Sequence, residues 1–291
     1  MVIIFLSMML SGCTSLIFHP DSKRYSNIVS FEQHEQMLQS RDGVRIHTLH
    51  VKPHGPSKGV VLIVHGNAQN LSAHILGWVW LLEHNYELFI FDYRGYGQST
   101  GSVDLKGSIE DTKQVIDYAT THFQAPIYLV GQSLGGALLI NALAQMQPLH
   151  VKIKAVVIDS TYSDLQQIGA EVLRHNVFTW LFSWAAYVVL DGDYNPIDKV
   201  NKLEVPLLFV AGTKDSMISP NHSWQLFDAA SRPKEFWLVN GAGHINTFDN
   251  SVMQAKLLDF FVDPQYEMHY SAMKIFDNFD KIAPLHPKGT P

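Results

Sequence analysis

A chain of 291 residues with 46% hydrophobic content can bury one large core, and α/β domains of this size are commonly single. The formal charge of −6 and the lack of any Lys/Arg run exclude the electrostatic footprint of a nucleic-acid binder. A lone cysteine, Cys13, excludes an intrachain disulfide.

The chain opens with MVIIFLSMMLSGCTS. Its apolar run from Val2 to Leu10 is too short to cross a bilayer as a mature helix but suits the apolar region of an export signal. Leu10-Ser11-Gly12-Cys13 resembles the lipobox of bacterial lipoproteins. That resemblance implies a signal over residues 1–13, lipid on Cys13, a membrane partner reached through that anchor, and a location on the periplasmic side of the envelope. The sequence departs from the pattern in one respect: no Lys or Arg precedes Lys23, where such signals carry positive charge. A buried first strand or a plain apolar end, in a cytoplasmic protein, is the alternative. Residues 14–30 are weakly patterned and read as a tether.

EQMLQSRDGVRIHTLHVKP reads as a hairpin, with a turn at Asp42-Gly43 and alternation through Val44, Ile46 and Thr48. Val60 to Val64 then form a continuous apolar run between glycines, the mark of a strand buried on both faces. A helix is expected over about residues 72–84. Buried strands recur in YELFIFDYRGYG, PIYLVGQS, IKAVVIDST, VPLLFVAGTKD and KEFWLVNGAGH, and helical-period segments alternate with them. This alternation predicts a mostly parallel sheet with crossover helices, an α/β fold. The pattern breaks over about residues 161–202, where an uncharged stretch runs from Val177 to Leu190. That stretch is either a helix packed on the core or a lid whose apolar face, with Trp180 and Trp184, roofs the site. Residues 263–291 lose pattern and read as a C-terminal extension.

The stretch YLVGQSLGGALL sets one serine among three glycines, between a strand-like and a helix-like run. A strand that turns at once into a helix forces its apex residue outward, so Ser133 is expected exposed at a helix N-terminus that favours negative charge. A hydroxyl is a poor nucleophile until a base takes its proton, and the base needs a carboxylate to hold its tautomer. Asp215 in AGTKDSMISP and His244 in VNGAGHINTF supply that pair, each just past an apolar strand. Asp159 ends the preceding strand and is the competing acid. Acyl transfer also builds charge on a carbonyl oxygen, which backbone N–H groups must meet. The N–H of Leu134 is one expected donor, and that of Asn67 in HGNAQN, or of the adjacent Ala68, is the second. His65 reads as a structural residue of that turn, and Asp92, Arg94 and Gly97 as shaping the turn after their strand. The histidines show no metal-ligand spacing such as H-E-x-x-H, so no metal is inferred.

HGNAQN, DYRGYGQSTG, GQSLGG, GTKD and GAGH together resemble the α/β-hydrolase superfamily, within it the Bem46-like serine hydrolases related to the serine aminopeptidase S33 group. The likeness covers about Phe31 to Val262. It implies an eight-stranded, mostly parallel sheet with helices on both faces, a short helical lid, and hydrolysis of an ester, thioester or amide of a small-molecule substrate without a cofactor. The order Ser133, Asp215, His244 is that of the superfamily. Serine at 133, where dehalogenases and epoxide hydrolases carry aspartate, argues against those chemistries. An aminopeptidase would want acids near a free amine, for which Asp164, Glu171, Asp191 and Asp193 are available. A non-catalytic, ligand-binding envelope lipoprotein on the same fold is the remaining alternative.

Overall fold

The computed structural model describes residues 18–25, 28, 30–175 and 179–264. Cys13 and the rest of the expected signal lie outside these residues, as does the C-terminal extension beyond Pro264.

Eight strands form one sheet: β1 (Glu32–Gln39), β2 (Arg45–Lys52), β3 (Gly59–Val64), β4 (Tyr86–Phe91), β5 (Ile127–Gln132), β6 (Ile153–Asp159), β7 (Leu207–Gly212) and β8 (Lys234–Val239). Their spatial order is β1-β2-β4-β3-β5-β6-β7-β8. Only β2 runs against its neighbours, pairing antiparallel with both β1 and β4. The order follows from composition. Every residue of β3, β5 and β7 is buried, as strands covered on both faces must be. β1, with the sequence EQHEQMLQ, is largely exposed and takes the edge, where charged side chains discourage further strand pairing.

Alternate residues of β3 feed two separate cores, as the two-residue period of a strand requires. Val60, Leu62 and Val64 face one core with α1 (Leu105–His122) and α2 (Leu134–Gln145). Val61 and Ile63 face the other, with Trp78, Leu81 and residues of α5 (Ser251–Val262). The segment expected as one helix after β3 is broken into Leu71–His74, a 3-10 turn Ile75–Trp78, and Trp80–Glu83. Gly77 lies at the break, where a residue without a side chain weakens a helix. Among the described residues no helix is long and apolar enough to cross a membrane.

Two expectations need correction. Residues 14–30 are not a free tether over their described part. Phe18 is 2% exposed and sits edge-on to Tyr96, and His19–Pro20 pairs parallel with Ala68–Gln69. An aromatic side chain next to the turn after β3 holds the chain there. The insertion between β6 and β7 is helical as expected, with α3 (Leu165–His175), a 3-10 turn Trp180–Ala185 and a short helix Ala186–Val189. Its aromatic stretch, however, neither joins the core nor closes a roof: Trp180 and Trp184 are 54% and 62% exposed. The reason is that Ala186 and Leu190 take the contact with α3, meeting it at Gly169, which leaves the larger side chains facing out. A further helix, α4 (Pro220–Ala229), follows β7.

Candidate active site

The turn from β5 into α2 is built by close approach. A Cβ on Gly131 would stand 2.6 Å from the Gly136 Cα, and one on Gly135 would run into the Val64 carbonyl at the end of β3. With the helix seated that tightly on the sheet, Ser133 takes φ 53°, a conformation uncommon for a side-chain-bearing residue. Its N–H donates to the Asp159 carbonyl at 2.9 Å, so the strained residue stays tied to the neighbouring strand.

Loops after β7 and β8 bring the other two groups to it. Ser133 Oγ donates to His244 Nε2 at 3.0 Å, and His244 Nδ1 donates to Asp215 Oδ2 at 2.8 Å. The second oxygen of Asp215 accepts the N–H groups of Met217 and Ile218, both at 2.9 Å. Burial pushes the Asp215 carboxyl up, but His244 and these two N–H groups outweigh it and hold the carboxyl below its ordinary value. It is therefore an anion with both oxygens fixed. The arrangement can draw the proton from Ser133 and hold the resulting imidazolium.

Asp159 is placed otherwise. It is fully buried and accepts from Gln132 Nε2 at 3.0 Å and Ser160 Oγ at 3.1 Å rather than from His244. Burial pushes its carboxyl up to about 6 against those two bonds, and the nearby Asp215 charge adds to the rise.

Leu134 is the first residue of α2, where no carbonyl of its own helix serves its N–H. The HGNAQN turn lies beside it: a Cβ on Gly66 would be 3.6 Å from the Ser133 Cβ. Three bonds fix the turn's peptide planes. Tyr93 Oη donates to the His65 carbonyl, His65 Nδ1 donates to the Gly66 carbonyl at 2.7 Å, and Tyr96 Oη donates to the Asn67 carbonyl at 2.7 Å. In a trans peptide the N–H points opposite the C=O. The His65 ring therefore sets the direction of the Asn67 N–H, and Tyr96 that of the Ala68 N–H. Burial, with the His74 ring stacked beside it, brings His65 down to about 4, so the ring stays neutral.

Ser133, Asp215, His244, Leu134 and the Asn67 turn are thus brought together, and Cys13 is outside the described residues. Asp92, Arg94 and Gly97 do shape their turn. Asp92 accepts from Leu71 N at 2.7 Å, Arg94 pairs with Asp111 at 2.6 Å, and a Cβ on Gly97 would meet the Asp92 carboxylate. The roles of Tyr93 and Tyr96 escape sequence reasoning, although both stand in the quoted DYRGYG. So does the chain Trp78 Nε1 to Gln132 Oε1, 3.1 Å, and on to Asp159. A cavity of about 190 Å³ opens beside this chain, lined by Gln69, His74, Trp78, Gln132, Ile245 and Phe248 among others. Among the described residues no group of three or more His, Cys, Asp or Glu is placed to hold a metal ion.

A mostly parallel eight-stranded sheet with a strained serine at the β5–α2 elbow, and loops after β7 and β8 converging on it, defines the α/β-hydrolase class. Residues 55–190 match the family described as serine aminopeptidase, S33. The chain is 31% identical to the uncharacterized protein YfhR of Salmonella typhi over 247 residues, 79% of this chain and 80% of that one. It is 28% identical to the protein bem46 of Schizosaccharomyces pombe over 212 residues, 68% of this chain and 66% of that one. Among solved structures, the Pyrococcus furiosus esterase Pf2001 superposes with a TM-score of 0.69 at 18% identity, covering 84% of this chain and 97% of the esterase. The chain belongs to the Bem46-like α/β hydrolases.

Proposed function

We propose that this hydrolase cleaves carboxylic esters through an acyl-enzyme on Ser133. His244 takes the proton from Ser133 Oγ as that oxygen attacks the ester carbonyl, and Asp215 holds the imidazolium. The N–H groups of Leu134 and Asn67 meet the oxygen that becomes negative. Collapse breaks the bond to the alcohol, which leaves with the proton from His244 Nε2. Water, deprotonated by the same nitrogen, then releases the acid. The observation that carries this reading is the continuous hydrogen-bond line from Ser133 through His244 to Asp215, at 3.0 and 2.8 Å. No step calls for a cofactor.

Thioesters and amides are open to the same machinery. An aminopeptidase has less support, because three of the four acids it would use are engaged elsewhere. Asp164 caps Gln167 N and accepts from Asn195, Asp191 accepts from Asp193 N, and Glu171 pairs with His222. We further place the chain in the bacterial envelope, lipid-anchored at Cys13, on the strength of the Leu10-Ser11-Gly12-Cys13 motif; metabolic palmitate labelling lost in Cys13→Ser tests this. For the chemistry, a fluorophosphonate probe should label the native chain and not Ser133→Ala. A native chain left unlabelled, and inert on acyl esters of every length, would instead make it a ligand-binding protein.

A further inference from the structure

We propose that the insertion between β6 and β7 is a docking surface that seats the catalytic edge of the sheet on a lipid bilayer, through Trp180, Leu181, Phe182, Trp184, Tyr187 and Val188. All six are exposed, Val188 by 74%, and they crowd into nine successive residues. Soluble proteins scatter exposed apolar side chains singly, and a contiguous patch of large ones marks an interaction site. Not one charged residue interrupts the sequence from Val177 to Leu190. Ala186 and Leu190 pack against α3 at Gly169, and Gln166 Nε2 donates to the Tyr187 and Leu190 carbonyls, so the insertion is held while the six side chains stay exposed.

Two observations commit the patch to lipid. One is its chemistry: tryptophan and tyrosine beside aliphatic side chains are the composition of segments that lie in a bilayer interface, with the apolar side sunk about 5–10 Å. The other is the course of the N-terminus. Phe18 and His19 enter the domain beside the turn after β3, at the C-terminal ends of the strands. The insertion occupies the same end. It leaves the C-terminal end of β6, and Glu171 of α3 pairs with His222 of α4, just past β7. Cys13 lies five positions before Phe18, a reach of at most about 18 Å. The apolar run from Val2 to Leu10 precedes them. A membrane holding that run, or lipid on Cys13, therefore holds the same edge of the sheet that carries the exposed aromatics. With a net charge of −6 the chain gains nothing from anionic headgroups, so apolar insertion drives the docking and neutral bilayers suffice.

The test uses the full chain with Cys13→Ser, which removes its only thiol and any attached lipid. An environment-sensitive fluorophore is placed through Val188→Cys on the patch or, as control, through Val151→Cys. Val151 is 77% exposed just before β6, at the opposite edge of the sheet. With phosphatidylcholine vesicles the label at 188 should shift to the blue and be quenched by lipids carrying a shallow quencher. The label at 151 should do neither, and added salt should change nothing. Combining Trp180→Ala with Trp184→Ala should lower vesicle partitioning about tenfold or more, given the apolar area that two tryptophans bury. Equal behaviour of the two labels overturns the proposal, since the N-terminal run alone would then make the contact. So does a blue shift at 188 without vesicles that follows dimer formation, which would make a second copy the occupant. Ser133→Ala should dock as the native chain does, so docking and hydrolysis fail or stand separately.

Discussion

Replacing Asp159 by Asn should raise stability near neutral pH and leave catalysis largely intact, whereas the same change at Asp215 should do the reverse. Asp159 has no exposed surface, and its carboxyl stands at about 6 against an ordinary 3.8. That gap of about two units corresponds to about 3 kcal/mol. The sign follows from proton counts. Between about pH 4 and pH 6 the folded chain holds a proton on Asp159 that the unfolded chain has released, so stability falls as pH rises through this window. Above it, the ionised carboxylate costs the fold about 3 kcal/mol relative to its protonated form. An asparagine keeps an oxygen for the Gln132 amide and carries no charge. Asp159→Asn should therefore flatten the stability profile between about pH 4 and pH 6 and gain up to about 3 kcal/mol near pH 8.

Asp215 has the opposite linkage. Its carboxyl is held below the ordinary value, so its contribution is present above that value and lost as pH falls through the depressed one. Asp215→Asn should also cost about 10⁴ in kcat, the loss seen when a triad acid can no longer hold the histidine tautomer. Urea melts across this pH range, run beside ester hydrolysis, read both quantities. A kcat loss of orders of magnitude in Asp159→Asn, with little in Asp215→Asn, would refute the assignment of the acid. An unchanged slope in Asp159→Asn would refute the electrostatic argument alone.

Ser133→Ala and His244→Ala should each remove most hydrolysis, and the double variant should be hardly worse than either, because a triad acts as a unit; additive losses on a logarithmic scale would contradict this. Tyr96→Phe takes away the donor to both the carbonyl and the side-chain oxygen of Asn67. It should cost about 1–3 kcal/mol in a denaturant melt. A kcat lowered by the roughly 10²–10³ that one oxyanion donor is worth, with KM nearly constant, would make the Ala68 N–H, which Tyr96 directs, the second donor in place of that of Asn67. Trp180→Ala and Trp184→Ala, at exposed positions, should each change stability by no more than about 0.5 kcal/mol. Both should leave the dependence of kcat/KM on acyl-chain length of soluble esters unchanged; a shifted preference would mean that the side chains roof the site after all, and a loss of several kcal/mol that they pack in the core.

Much of this was legible in the sequence because it rests on local signals. Uninterrupted apolar runs mark strands covered on both faces, and G-x-S-x-G marks the elbow because Gly131 and Gly135 have no room for a side chain. The acid was less legible. Asp159 ends one apolar strand and Asp215 lies just past another, and only the course of the loop after β7 brings Asp215 to within 2.8 Å of His244. The supports of the HGNAQN turn were not legible at all. Tyr93 and Tyr96 reach His65 and Asn67 across 28 and 29 residues of chain, which leaves no periodicity. The direction in which the uncharged stretch of the insertion faces was not legible for a related reason: an uncharged string reads alike whether it faces a core, a site or solvent.

Backbone strain shows the same division between local and long-range causes. Among the described residues, Gln69, Asn85, Ser133, Ser160 and Ile245 are the non-glycine positions with positive φ. All but Asn85 lie past the C-terminal ends of strands, at the edge that carries the candidate site. Each such conformation costs about 1–3 kcal/mol and persists only where its surroundings over-determine it. Here the surroundings are the ladder itself. Ser133 N donates to the Asp159 carbonyl and Ser160 N to the Val210 carbonyl, both at 2.9 Å, so each elbow continues the pairing of its strand with the next. Relaxing Ser133 would break its link to β6, and β6 is held in turn by β7, the strand that leads to Asp215. Ser133 and Asp215 are therefore fixed through three adjacent strands, which is why Ser133 can be strained and still stand 3.0 Å from His244.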